Sequence, residues 1–224
     1  MKTLKDYIGE ASLLDIEGTL DSGEKDIKKL VKTWIKDNFE VVYLKISKKP
    51  NRDGKYVVSA KNARVINKNI KSLVNEFFIW DVILVDFDCS YCDNLISLEG
   101  APKEVGGFFD CSHCKQLKSL KGSPEEIDGD FYCFNCDSLT SLEGAPNNIG
   151  CDFSCNYCKS LKTLKGAPKE VGGNFCCSGC KSLVSVDDAP NKIGKYIYFY
   201  NCISLNHESI PERIKNKTYK ISLQ

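Results

Sequence analysis

The sequence is dominated by a 22-residue repeat in which phenylalanine, cysteine and leucine keep fixed positions. The pattern Phe-x-Cys-x-x-Cys-x-x-Leu-x-x-Leu-x-Gly-x-Pro begins in turn at Phe87, Phe109, Phe131, Phe153 and Phe175. A period of this length is typical of proteins built from stacked coils. One short copy cannot bury its apolar side chains alone, so the copies have to stack on one another.

Weaker copies flank the five regular ones. Segment 65–73 keeps apolar side chains in phase with the repeat, and segment 197–205 carries Phe199 where a regular copy has its first cysteine. The spacing then slips by one residue, because Pro190 is followed by Pro211. The sequence therefore predicts about seven coils.

The start of each regular copy predicts a short strand. Side chains along a strand alternate between its two faces, so Phe109 and Cys111 should point into the core and Asp110 outward. Stacking equivalent segments in register gives a parallel β ladder, with strands about 4.7–4.9 Å apart.

Residues before the repeats predict a helix followed by a hairpin. Apolar residues from Ile27 to Ile35 have helical spacing, which predicts a helix over about 22–38. Alternation over 42–46, a turn at 50–54 and a second strand over 55–60 predict the hairpin. We therefore predict an α+β chain: a leader (1–20), a helix-plus-hairpin cap (21–60), a solenoid (61–210) and a C-terminal closing strand (211–224).

The repeat also resembles known leucine-rich repeats. LISLEGAPKEVGGFFDCS is similar to the short bacterial effector type, and Cys-x-x-Leu-x-x-Leu resembles BspA-like repeats. The SLEGAPKEVGG segment most resembles leucine-rich repeat proteins encoded by large tailed phages, including their helix-and-hairpin segment. The leader YIGEASLLDIEGTLD is similar to leaders on other proteins of such phages. The resemblance implies a solenoid with a binding role; Cys114 and its equivalents replace the usual asparagine.

Two interpretations of the cysteines are open. Cys89-x-x-Cys92 followed by Cys111-x-x-Cys114 has the spacing of a four-cysteine zinc site. However, Phe199 takes a cysteine's place in the last copy, and cysteine is often buried as a small apolar residue. We favour a buried column of reduced thiols without metal over zinc binding or redox chemistry. Cys151 and Cys176 fall outside this column.

The positions beside the Phe-x-Cys core form an outward face that varies between copies. Its three columns contain five aspartates, six aromatic residues and no lysine or arginine. Exposed aromatic residues are enriched in binding hot spots, and carboxylates attract basic partners. We predict that this face binds a partner through Phe108, Tyr132, Phe134, Tyr196, Tyr198, Tyr200, Asp86, Asp88, Asp110, Asp130 and Asp152. Ordinary strand composition is the alternative.

Composition gives few signs of chemistry. The chain has 31 Lys+Arg, 30 Asp+Glu and only two histidines, His113 and His207. This balance does not favour nucleic acid or an anionic membrane as a partner. No catalytic triad, phosphate loop or calcium loop is evident, so we expect no enzyme activity and no cofactor. The N-terminus lacks a signal-peptide core and no apolar run is long enough for a membrane span, so we expect a cytoplasmic protein.

These observations favour a non-enzymatic protein-binding module. The phage resemblance implies an effector that engages a host protein in the host cytoplasm. One alternative is a virion or assembly component that docks through its leader. An alternative of another class is a zinc-binding protein or enzyme that uses the Cys-x-x-Cys pairs.

Overall fold

The structure is a computed structural model that describes residues 20–206, 208 and 210–215. The predicted leader over 1–20 lies outside this part of the chain except for its last residue, as does His207. The chain forms a β-solenoid of 22-residue coils preceded by one long helix, which confirms the predicted fold class.

The long helix, α1, spans Leu20–Asn38 and begins two residues earlier than the sequence predicted. Its last turns bury Val31, Trp34 and Ile35 against the first strands, as expected for an amphipathic helix. The side-chain amide of Asn38 donates a 2.8 Å hydrogen bond to the Trp34 carbonyl at the helix end. This side of α1 covers the open end of the core.

The strands form two eight-stranded sheets along the solenoid. The front sheet contains, in spatial order, β1 (Phe39–Val42), β4 (Asn62–Val65), β6 (Phe87–Asp88), β8 (Phe109–Asp110), β10 (Phe131–Tyr132), β12 (Phe153–Ser154), β14 (Phe175–Cys176) and β16 (Ile197–Tyr198). The back sheet contains β2 (Lys45–Ile46), β3 (Tyr56–Ala60), β5 (Phe78–Ile83), β7 (Glu104–Val105), β9 (Glu126–Ile127), β11 (Asn148–Ile149), β13 (Glu170–Val171) and β15 (Lys192–Ile193). Each coil contributes one short strand to each sheet.

The register between coils equals the sequence repeat. Phe131 pairs with Phe109 on one side and with Phe153 on the other, so equivalent residues form straight columns. Six regular coils run from β5 and β6 to β15 and β16. A less regular coil precedes them: β3 is already a parallel neighbour of β5, so the stack begins within the segment that the sequence assigned to the cap.

The core is built from these columns. Phenylalanine rings of successive coils stack with centroids 5.3–5.4 Å apart from Phe87 to Phe175. The paired cysteines and the two leucines of each copy line the same interior and are almost fully buried. Ile197 continues the phenylalanine column in the last coil, and Phe199 fills a cysteine position there, buried as the sequence predicted.

The two ends of the stack are closed differently. At the first end, β2 pairs antiparallel with β3, which confirms the predicted hairpin, while β1 pairs antiparallel with β4. At the other end, the structure has a short helix, α2 (Glu212–Lys215), where the sequence predicted part of a closing strand over 211–224. Proline suits the first turn of a helix, and the Pro211 carbonyl accepts the Ile214 N–H at 2.8 Å. Residues 216–224 lie outside the described part.

Glycine at the corner between the sheets lets adjacent coils touch through their backbones. A Cβ atom added to Gly172 would lie 2.0 Å from the carbonyl oxygen of Gly150 in the preceding coil. Gly150 and Gly194 are equally close to the backbone of the coil before them. Four of the five equivalent positions from 106 to 194 are glycine and the fifth is Asp128, so the close contact between coils, rather than an unusual backbone angle, favours glycine here.

None of the helices within residues 20–206, 208 and 210–215 combines the length and apolar character needed to cross a bilayer.

The corner contact predicts a stability difference between neighbouring positions. Gly172→Ala should lower the free energy of unfolding by about 1–3 kcal/mol, because the new methyl group has no room. Cys151→Ala, at an exposed position of the neighbouring column, should change it by less than about 0.5 kcal/mol. Urea unfolding followed by circular dichroism measures both. Equal stability of the Gly172→Ala variant and the unsubstituted protein would contradict the close packing of the coils.

Candidate functional site

The outward side of the front sheet carries the predicted binding residues. We call this surface the front face and define it by four columns of six residues. The columns are Asp86, Phe108, Asp130, Asp152, Asn174, Tyr196; Asp88, Asp110, Tyr132, Ser154, Cys176, Tyr198; Ser90, Ser112, Phe134, Asn156, Ser178, Tyr200; and Tyr91, His113, Asn135, Tyr157, Gly179, Asn201. All eleven predicted site residues lie in the first three columns.

The first column is a ladder of side-chain acceptors. Asp130 Oδ1 accepts a 2.7 Å hydrogen bond from the backbone N–H of Asp152 in the next coil. Asp152 Oδ1 accepts the N–H of Asn174 at 2.7 Å, and Asn174 Oδ1 accepts the N–H of Tyr196 at 3.2 Å. Asp86 Oδ1 accepts the N–H of Phe108 in the same way at 3.0 Å. The aspartates of this column therefore hydrogen-bond adjacent coils to each other and also contribute carboxylates to the front face.

The aspartates of the second column differ in their partners. Asp88 Oδ2 forms an ion pair with Arg64 Nε at 3.1 Å, at the first edge of the front face. Asp110 Oδ1 accepts only a neutral donor, the Ser112 N–H, at 2.8 Å. Burial raises the pKa of the Asp110 carboxyl, and the negative charge of Asp88 raises it further, against lowering by the Ser112 hydrogen bonds. Asp110 therefore forms no ion pair with any described residue, although the nearby His113 lowers its pKa.

Aromatic rings form a continuous strip across the first half of the front face. Phe108 lies 6.2 Å from Tyr132, which lies 6.2 Å from Phe134. Phe134 meets His113 edge-on at 5.2 Å, and His113 stacks on Tyr91 at 4.2 Å with nearly parallel rings. The Tyr132 hydroxyl donates a 2.7 Å hydrogen bond to Asp130 Oδ2. We call these five rings the aromatic strip.

Three tyrosines from the last coil form a second cluster. Tyr196 and Tyr198 have ring centroids 6.1 Å apart, and Tyr198 stacks on Tyr200 at 5.7 Å. Tyr196 is 43% exposed, whereas the other two are half-buried. The structure thus brings together the predicted tyrosines. Two coils separate them from the aromatic strip; these coils hold smaller residues in the first three columns and Tyr157 in the fourth.

The fourth column was missed by the sequence analysis. Its residues precede the second cysteine of each copy and have positive φ, for example 58° at Tyr91 and 60° at His113. This conformation is unusual for large side chains and costs about 1–2 kcal/mol per residue. Their N–H groups extend the ladder, as Tyr91 donates to the Ser112 carbonyl at 2.9 Å. The available signal was glycine and asparagine at equivalent positions, because both favour positive φ.

The cysteines form a ladder of their own. From the second copy onward, the second cysteine donates its thiol to the carbonyl of the first cysteine in the preceding coil. The Cys136 Sγ to Cys111 oxygen distance is 3.3 Å, and the Cys158 Sγ to Cys133 oxygen distance is 3.1 Å. The same contact recurs at Cys114, Cys180 and Cys202. Cysteine therefore supplies a donor between coils while filling an apolar core.

Most of these thiols are held in the neutral form, which suits neither metal binding nor nucleophilic chemistry; the exception is Cys92, whose pKa is lowered by a hydrogen bond with Cys114. Burial raises the pKa of Cys111 and Cys133 well above the ordinary value, and raises that of Cys158 and Cys177 to about 12. Metal ligation and nucleophilic attack both need the thiolate. Within the described residues, no group of three or more His, Cys, Asp or Glu is arranged to hold a metal ion.

The other two surfaces of the solenoid are electrically mixed. On the third side, formed by the segments after the second cysteine, Lys115 pairs with Asp93 and Lys159 with Asp137, at 3.3 and 3.2 Å. A groove of about 530 Å³ follows the back sheet, where Lys192 pairs with Glu170 at 2.8 Å. Both surfaces contain lysines paired with carboxylates of adjacent coils, although the groove is lined by four carboxylates and only one lysine. The front face has no lysine or arginine among its 24 positions.

No protein-family model matches the chain, and comparisons with curated proteins and with solved structures find no match.

Burial of the thiols predicts a defined order of chemical modification. In the folded protein at mildly alkaline pH, exposed Cys151 should react first with Ellman's reagent. Half-buried Cys176 should follow more slowly, because burial raises its pKa to about 11 and leaves little thiolate. The other eleven cysteines are buried and should react only on unfolding. A zinc chelator should not change this pattern; release of further thiols by the chelator would support the zinc interpretation instead.

The acceptor role of the first column predicts a large loss of stability for one substitution of Asp130 and a small loss for another. Asp130→Ala leaves the Asp152 N–H without its partner and should cost about 1–2 kcal/mol of unfolding free energy. Asp130→Asn keeps an acceptor oxygen, as Asn174 does naturally in the same column, and should cost less than about 0.5 kcal/mol. Thermal or urea unfolding measures the difference. Similar losses in both variants would mean that charge, rather than hydrogen-bond acceptance, holds the coils there.

Proposed function

We propose that this protein is a non-enzymatic protein-binding module and that its front face contacts the partner. The observation that carries the proposal is the composition of this face. The aromatic strip lies among carboxylates, the last coil adds a tyrosine cluster, and none of the 24 positions is lysine or arginine. Tyrosine and other aromatic side chains dominate binding hot spots because they bury a large area with few rotatable bonds.

The rigidity of the face supports the same proposal. Backbone hydrogen bonds between coils fix every column, and ring contacts restrain the side chains of the aromatic strip before any partner arrives. Side chains that are already ordered lose less conformational entropy on binding. A pre-ordered surface of this kind suits a partner that docks on it without large rearrangement.

The repeat resemblance gives the proposal a biological setting. Since the sequence resembles repeats encoded by large tailed phages, we propose that the partner is a host protein and that this chain acts as an effector. An assembly role through the leader remains the alternative. The identity of the protein bound at the front face distinguishes the two, because assembly requires a phage structural protein.

Site-specific cross-linking tests the proposed face. A photo-reactive phenylalanine analogue at Tyr198 should give a discrete cross-linked species in extracts of the cells that contain the protein. The same analogue at Lys118, on the third side, should not. Mass spectrometry then identifies the partner. Tyr196→Ser/Tyr200→Ser in the cross-linking protein should reduce the yield severalfold, because two hot-spot candidates are lost. Equal yields from Tyr198 and Lys118 would contradict the proposal.

A further inference from the structure

We infer that the front face binds a positively charged protein segment and that arginine side chains are its main anchors. This inference rests on the proposed function and specifies the chemistry of the partner. It follows from the charges that the coils leave unpaired and from the rings that lie beside them.

The front face is a local concentration of one charge on a nearly neutral chain. The whole chain has a formal net charge of +1, yet the front face contains five aspartates and no lysine or arginine. Potentials of one sign on a surface attract a partner of the opposite sign and set the orientation of its approach. A basic partner matches this surface, whereas an acidic one is repelled by it.

Three of the aspartates have no ion-pair partner among the described residues. Asp88 is neutralised in part by Arg64, but Asp110, Asp130 and Asp152 form no ion pair with any described residue. Their hydrogen bonds come from backbone N–H groups, a tyrosine hydroxyl and an asparagine amide, all of which are uncharged. These bonds fix the positions of the carboxylates without cancelling their charge.

The neighbouring rings favour arginine over lysine. Asp110 is directly opposite Tyr132 in the β ladder, and the Tyr132 hydroxyl contacts Asp130. One ring therefore lies between two unpaired carboxylates. A guanidinium group can stack flat on an aromatic ring while its edge donates hydrogen bonds to carboxylates, which a lysine ammonium group cannot do. Phe108 and Phe134 extend the same apolar surface for the side-chain stem.

Fluorescence anisotropy with short labelled peptides tests the inference directly. The probes are three peptides of equal length in which serine alternates with arginine, lysine or glutamate. The full chain should bind the arginine peptide at least about fivefold more tightly than the lysine peptide, and more weakly as salt increases. Binding of the glutamate peptide should be undetectable. Equal affinity for the arginine and lysine peptides would overturn the arginine preference.

Two matched pairs of substitutions locate the site. Asp110→Asn/Asp130→Asn removes two charges but keeps their acceptor oxygens, and should weaken binding of the arginine peptide at least about tenfold. Asp93→Asn/Asp137→Asn removes the same charge from the third side, where both aspartates are paired with lysines, and should change it less than about twofold. Unfolding curves confirm that both variants are folded. Equal weakening in both would overturn the assignment to the front face.

The inference and the proposed function fail in different ways. If a partner cross-links at Tyr198 but binds the Asp110→Asn/Asp130→Asn variant as tightly as the original chain, the arginine inference is wrong and the proposed function stands. If a folded protein gives no cross-link specific to the front face, the proposed function itself fails, and the inference that rests on it fails with it.

Discussion

Contact between equivalent residues of successive coils is the interaction on which the rest of this structure depends. In the coil of Phe153, as in most coils, the phenylalanine stacks on the preceding phenylalanine, a thiol donates to a carbonyl of the preceding coil, and the corner glycine contacts the preceding backbone. None of these contacts exists within a single coil. Stability therefore comes from the interfaces between adjacent coils, as in other repeat proteins. Each of the three kinds of contact specifies the same register between coils.

The thiol and carboxylate ladders both supply hydrogen-bond partners to backbone groups, one on the inner side of the front strands and the other on the outer side. Backbone groups near the ends of two-residue strands fall outside the regular ladder and need other partners. Inside, the Cys136 thiol reaches the Cys111 carbonyl without adding a strongly polar group to the core. Outside, Asp130 accepts the Asp152 N–H at the surface. The interior ladder needs a weak donor that is also apolar, and cysteine meets both requirements.

The front face was predictable in its composition but not in its arrangement. Alternation along Phe109, Asp110 and Cys111 was enough to place the aspartate outward. Nothing in the sequence indicated that Asp130 would accept two hydrogen bonds, whereas Asp110 would accept one backbone N–H and form no ion pair with a described residue. Tyr91 and His113 were overlooked because a strand pattern ends before them, and only their positive φ turns their rings onto the face.

The sequence by itself determined the coil length, the register and the buried columns. With a 22-residue period, only one register stacks the equivalent apolar side chains of every coil on one another. The sequence also indicated the helix and hairpin at the first end. The tertiary structure alone decided that residues 211–215, the start of the predicted closing strand, form a helical turn. It also decided which charges stay unpaired, since ion pairing depends on distances between coils that no single copy contains.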